Sequence, residues 1–193
     1  VPAPALADNK LIIKSNISLL SFGTEKMLVD FGKANLIKKA SLQPEKFREV
    51  INKTLTDGPI STLETVKNKL ESPFPMGYSN VGTVHAIGKN VTGFKVGDRV
   101  VSNGPHAEMF SISKNLCCKV PNKVTDQEAA FAVLAAIGLQ GIRLSNPTMG
   151  ETFLVSGLGL IGILTAQLLE ANGCIVLGID PDIERCNKAK DLG

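Results

Sequence analysis

The sequence has no tryptophan and a single tyrosine, Tyr78. Its basic surplus is small, +3 over 193 residues. Nucleic-acid surfaces combine basic stripes with interleaved aromatic rings, so no nucleic-acid partner is expected. No run reaches the ~18 apolar residues of a membrane helix. The longest, Leu158 to Leu169, is broken by Gly159 and Gly162, and no charged-then-apolar leader opens the chain. No membrane association is expected. The four cysteines (Cys117, Cys118, Cys174, Cys186) include no C-x-x-C pair, and the adjacent two are poorly placed to bridge each other. Reduced thiols in a cytoplasmic protein are the expectation, rather than a disulfide scaffold or a Cys-rich zinc lobe. The chain starts at Val1 without a Met and stops at Leu192-Gly193, and it reads as a piece of a longer protein.

What is present is enough chain for one large or two small domains, with apolar and charged fractions near average. Residues 10–21, KLIIKSNISLLS, alternate partly and read as a strand, after which Gly23 and Thr24 turn the chain. From about Phe31 to Ser72 the period is helical, with Pro44 at a helix start and Ser61-Thr-Leu-Glu64 as a capping box. The basic residues there read as a solvated helical face rather than a binding patch. After Pro73 and Pro75 the period returns to two. VGTVHAIG, GDRVVSN and HAEMFSISKNLCCKV read as short strands of a small barrel-like β unit. Thr125-Asp-Gln-Glu128 is a second capping box, opening a long helix through Ala129, Ala130, Leu134 and Ile137 to about Leu144. Asn146-Pro147 ends it. The order then becomes strand, glycine turn, helix, strand, so a domain boundary falls within 122–150.

The strongest stretch is ETFLVSGLGLIGILTAQLLEANGCIVLGIDPD. A buried strand, 153–156, runs into Gly157-Leu158-Gly159-Leu160-Ile161-Gly162, then a helix to about Gly173, then a strand from Cys174 to Ile179 ending in Asp180. G-x-G-x-x-G alone is weak. Here it follows a strand, opens a helix and has an acid 18 residues beyond its last glycine. Gly157 permits the tight turn, Gly159 lets backbone approach a pyrophosphate, and Gly162 lets helix and strand pack closely. The pyrophosphate would sit on the free N–H groups of the helix start. Asp180 would accept from ribose hydroxyls and repel a 2′-phosphate, favouring NAD over NADP. Arg185 could reach the adenosine ribose, with a solvated helix residue as the equal alternative. A full dinucleotide fold needs about six strands, and two are visible.

In this order the pieces resemble the medium-chain dehydrogenase/reductase family, the zinc-type alcohol dehydrogenase and quinone reductase group. The match rests on Gly77-x-x-x-x-Gly82-x-Val84, Val96-Gly97-Asp98-Arg99-Val100, Ala107-Glu108, Glu128-Ala-Ala130, Gly150 and the Gly157 motif. The resemblance implies an α/β chain with a β-rich N-terminal part. A GroES-like catalytic domain at 1–125, with a helical insertion at about 31–75, would precede a linking helix and an incomplete Rossmann domain at 126–193. A closer resemblance, carried by FGKANLIKKA, MGYSNVG and SNGPHAE, is to bacterial two-part oxidoreductases. In these a zinc-less half of this kind precedes a second oxidoreductase half. That implies a fused C-terminal domain and a sugar-linked substrate, and a homo-oligomer stays open.

Zinc-using members of the family carry ligands in three places. Here Phe22 precedes Gly23-Thr24-Glu25, Tyr78 and Ser79 follow Gly77, and the third place falls near Ala132. None offers a usual zinc donor, so the family's zinc is not expected and no metal ligand is assigned. Hydride chemistry without the metal needs hydroxyl or amide donors to polarise a carbonyl. Thr24 matches the family's relay hydroxyl. Tyr78 either donates to a substrate oxygen or fills the vacated metal cavity with its ring. His106 reads as structural or at the surface rather than in the cleft, and His85 as structural. The expected activity is NAD-dependent hydride transfer to or from a small alcohol or carbonyl compound. An NADPH-dependent quinone or enoyl reductase is one alternative, and a non-catalytic NAD-binding module is another.

Overall fold

The computed structural model describes residues 3–33 and 75–193. By contacts the chain divides into two units, Val1–Leu20 with Gly77–Gly193, and Ser21–Met76. The helical insertion expected at about 31–75, with its Pro44 start and Ser61 capping box, falls almost wholly outside the described residues.

The larger unit begins with β1, Lys10–Ser18. It pairs antiparallel with β2, Asn80–Ile87, on one side and with β4, Met109–Ser113, on the other. β3, Arg99–Ser102, and β5, Cys117–Lys119, complete a sheet in the order β4-β1-β2-β3-β5. This ladder leaves β4 and β5 as edges, so among the described residues hydrogen bonding does not close the expected barrel. Register shifts fall between Ile12 and Ile13 and between Ser15 and Ile17. Such bulges bend a strand and re-aim its side chains, which is why the alternation in KLIIKSNIS is only partial. Leu11, Ile13, Val84, Val100, Phe110 and Ile112 form one core. Complete burial of a side chain of this kind contributes about 1.5–3 kcal/mol. A second cluster sets Val81, Val101 and Val120 against Ala129 and Ala130.

The expected linking helix is two helices, α2, Asp126–Ala129, and α3, Ala132–Ser145. Its capping box is present: the Glu128 amide donates to Thr125 Oγ1 at 3.2 Å, and the Thr125 amide to Glu128 Oε2 at 2.8 Å. The break follows from the Phe131 amide, which bonds back three residues to the Glu128 carbonyl at 3.2 Å. α3 buries Leu134, Gly138 and Ile142. Ile137, expected on that face, is exposed instead, because four-residue steps from Leu134 lead to Gly138 and Ile142. Asn146 closes α3 in the left-handed region, at φ 48°.

β6, Thr152–Ser156, and β7, Ile175–Ile179, then pair in parallel across α4, Leu160–Ala171. They share a core of Ile142, Val155, Leu158, Leu169 and Cys174. Helix α5, Ile183–Asp191, follows. No helix among the described residues is long and apolar enough to cross a membrane.

In the smaller unit, Gly23 and Thr24 do not turn the chain. They lie in the first turn of helix α1, Phe22–Lys33. Ser21 and Glu25 start it: the Glu25 amide donates to the Ser21 carbonyl at 3.0 Å, and Glu25 Oε1 accepts from the Ser21 amide at 3.2 Å. A carboxylate reaching back over the first turn satisfies a donor that the helix leaves open.

Candidate functional site

The six residues Gly157 to Gly162 connect β6 to α4. Gly157 has φ +92°, a conformation that costs an L side chain strain and glycine nothing. A Cβ on Gly162 would overlap the Gly157 carbonyl oxygen, so loop and helix meet only because residue 162 is glycine. Gly159 differs, because a Cβ there would meet nothing within 4 Å. Protein packing therefore gives no reason for this glycine, and the space it leaves lies at the helix start. Gly159 is the N-cap of α4, and no side chain caps the helix. The first-turn amides of an α-helix have no partner within the helix and carry its positive dipole end. An open backbone, an uncapped helix start and a close glycine contact fit a pyrophosphate.

Leu158, Leu160 and Ile161 divide their roles. The Leu158 side chain is buried and packs on Gly178 of β7. Its amide is already spent, donating to Asp180 Oδ2 at 2.8 Å. Leu160 and Ile161 form the first helical turn and offer backbone amides.

Asp180 follows β7. Its Oδ1 accepts from the Asp182 amide at 2.9 Å, and Arg185 Nη1 stands 3.6 Å from Oδ2. The Asp182 and Leu158 amides, with Arg185, hold its carboxyl below the usual range, so it is ionised at neutral pH. Arg185 also faces Asp182 at 3.6 Å and is more than half exposed. A pocket of about 420 Å³ is lined by Ser156, Gly157, Ile179, Asp180 and Pro181. The structure thus brings the glycine loop, Asp180 and Arg185 into one place.

The second place is Gly77-Tyr78-Ser79-Asn80. Gly77 has φ +89°, and a Cβ there would lie 2.6 Å from the His106 amide nitrogen and 2.7 Å from its Cγ. Tyr78 is half-buried. Ser79 is fully buried and donates to the Ala130 carbonyl at 2.6 Å, so its hydroxyl ties the segment to the residue following α2. His106, half-buried, places Nδ1 2.8 Å from Ser18 Oγ. Sequence reasoning set His106 aside as structural or superficial and did not single out Ser15, Ser18 or Asn80. No clear signal was available: Asn80 opens a strand that also carries the polar Thr83 and His85. His85 points to solvent from β2. Thr24 is half-buried in α1 and belongs to the smaller unit.

The fold and the loop define a class: a GroES-like β unit followed by a parallel βαβ unit, the arrangement of medium-chain oxidoreductases. The family described as "Alcohol dehydrogenase GroES-like domain" matches residues 51–157, and the chain belongs to it. Among curated relatives, D-guloside 3-dehydrogenase of Escherichia coli is 32% identical over 124 residues, covering 62% of this chain and 35% of the relative. (R,R)-butanediol dehydrogenase of Bacillus subtilis is 27% identical over 150 residues, covering 63% and 43%. A mycobacterial protein solved in complex with NADPH superposes with a TM-score of 0.70 at 25% identity, covering all of this chain and 51% of that one. The chain therefore spans about a third to a half of the length of the proteins it resembles.

Proposed function

We propose that the protein is an NAD-dependent oxidoreductase acting on a small alcohol or carbonyl compound without a catalytic zinc. The observation that carries this reading is the uncapped start of α4 above the open Gly159, with the ionised Asp180 at the end of the next strand. When bound, NAD would supply hydride exchange at its nicotinamide ring. The amides of Gly159, Leu160, Ile161 and Gly162 bind the pyrophosphate. Asp180 accepts from ribose hydroxyls through lone pairs its two amide bonds leave over, and repels a 2′-phosphate. The GroES-like and nucleotide domains meet at about residues 125–126.

The donor set does not fit zinc. The side chains of Phe22 and Ala132 carry no lone pair, and a phenol at Tyr78 is a poor ligand. Among the described residues no three His, Cys, Asp or Glu side chains gather. The work of polarising the substrate oxygen falls to a hydroxyl: Tyr78 is the candidate donor in the larger unit and Thr24 the candidate in the smaller one. Four free thiols accord with a reducing cytoplasm.

A second reading is an NADPH-dependent quinone or enoyl reductase. Arg185 favours it, because a guanidinium beside Asp180 softens the repulsion of a 2′-phosphate. Turnover of the full-length protein separates the readings, using NAD⁺ with sorbitol or 2,3-butanediol against NADPH with 1,4-benzoquinone. NAD⁺ turnover, reduced roughly 10- to 100-fold in Tyr78→Phe and in Thr24→Ala, is expected. A clear NADPH preference sinks the first reading. Wild-type rates in both variants sink the hydroxyl roles.

A further inference from the structure

Two loops distant in sequence are joined by side chains turned away from solvent. Asn80 is fully buried at the start of β2. Its Nδ2 donates to Ser15 Oγ at 2.9 Å and to the Pro105 carbonyl at 3.2 Å. Ser15 Oγ donates in turn to the Ala107 carbonyl. The Ser15 amide donates to the Glu108 carbonyl, and the Ala107 amide folds back on the Pro105 carbonyl, both at 2.9 Å. The carbonyls on either side of His106 are thus each held by a side chain. The His106 ring is held separately, by Ser18 at Nδ1 and by Gly77, where Cγ and Cδ2 lie 2.7 and 2.8 Å from the place of a Cβ. Gly77 immediately precedes Tyr78.

A histidine that merely covers surface needs no such framework. Buried polar groups cost desolvation, and one left unpaired costs more. Asn80 Oδ1 is buried and makes no hydrogen bond among the described residues. The fold accepts that cost where two donors fix the peptide carrying His106. The ring then occupies the space that a Cβ on Gly77 would take, directly before Tyr78.

We propose that His106 is a positioning residue for Tyr78: held by the Asn80–Ser15 network and by Ser18, its imidazole packs on Gly77 and fixes the aim of the Tyr78 phenol. The ring acts through the Gly77 peptide and need not touch substrate. The proposal rests on the reading of Tyr78 as a hydroxyl donor for its catalytic consequence only.

The test uses the full-length protein and two readouts. The first needs no substrate: ring-¹³C tyrosine is incorporated, and the Tyr78 resonance is assigned by its loss in Tyr78→Phe. His106→Ala moves or broadens that resonance toward the position of a solvent-exposed tyrosine. Ser18→Ala, which removes only an exposed hydroxyl, gives a smaller shift in the same direction and serves alone if the alanine variant does not fold. An unmoved Tyr78 resonance overturns the proposal. The second readout is turnover of NAD⁺ with sorbitol or 2,3-butanediol. His106→Ala lowers kcat about tenfold, as a small misplacement of a catalytic group does, with KM nearly unchanged. In the Tyr78→Phe background it lowers kcat no further. Equal losses in both backgrounds overturn the proposal, because His106 would then act independently of Tyr78. Wild-type turnover by Tyr78→Phe removes the catalytic reading of Tyr78 and leaves the resonance to decide the positioning.

Discussion

The loop at Gly157–Gly162 and the segment Gly77–Asn80 each carry a glycine at positive φ, and they use it differently. At Gly157 the conformation serves the backbone: it turns the strand into a helix whose first-turn amides are the proposed binding surface. Side chains there matter mainly by being absent, at Gly159 where the space is open and at Gly162 for the Gly157 carbonyl. At Gly77 the missing side chain makes room for another residue's ring. That region depends on hydroxyls and an amide contributed from β1, β2 and the 105–107 peptide. A backbone site can be written in one short stretch of sequence. A side-chain site assembled from three stretches cannot.

This contrast can be broken first at the glycines. Gly162→Ala forces a Cβ against backbone that cannot yield, and thermal unfolding should show a loss of about 3 kcal/mol or more. Gly77→Ala meets the His106 amide nitrogen and ring with a milder overlap, 2.6 Å against 1.9 Å at Gly162, together with the strain of positive φ, and should cost less, about 2 kcal/mol. Equal or reversed losses would mean that the two loops are not built as described.

Next comes nucleotide choice. Asp180→Asn removes the charge that repels a 2′-phosphate while keeping an acceptor. Calorimetric titration of the full-length protein should show the NAD⁺ to NADP⁺ preference falling about tenfold, a change of about 1.4 kcal/mol. An unchanged ratio would move the discrimination to another residue.

The smallest effect is on acid stability. The amides of Asp182 and Leu158 with Arg185 lower the Asp180 pKa, the Thr125 amide and hydroxyl lower that of Glu128, and Lys119 and the Lys95 amide lower that of Asp98. Each folded carboxyl binds its proton less tightly than the unfolded one. The stabilisation is complete above the unfolded values, near 3.8 for Asp and 4.5 for Glu, and is lost as pH falls through the folded ones. Urea midpoints should therefore drop between about pH 4.5 and pH 3, and less steeply in Asp180→Asn. A flat profile would contradict the assigned contacts.

Much of the fold was legible where the signal is local. The strand-glycine-helix-strand run is bounded to within a few residues because period, glycines and terminal acid lie in one stretch. The Thr125–Glu128 capping box is present for the same reason. Errors arose where the hydrogen bonds of a single turn, or partners distant in sequence, decide. Gly23-Thr24 looked like a turn until the Ser21–Glu25 contacts made it a helix start. The linking helix broke at a tightened turn beside Phe131 that apolar periodicity does not register. The support of Tyr78 was illegible because Ser15 and Ala107 are 92 residues apart, and Ser18 and His106 are 88 apart. Polar residues in a strand announce themselves as exposed unless their partners are known.

The central claim is that the nucleotide loop keeps its chemistry while hydroxyls stand where the family's metal would be held. Metal analysis of active, full-length protein purified without chelators tests it most directly. Less than about 0.1 zinc per chain, with NAD⁺ turnover intact, is the predicted result, since Phe22, Tyr78 and Ala132 cannot supply the three donors a catalytic site needs. One zinc per chain, lost together with turnover on chelation, would contradict it.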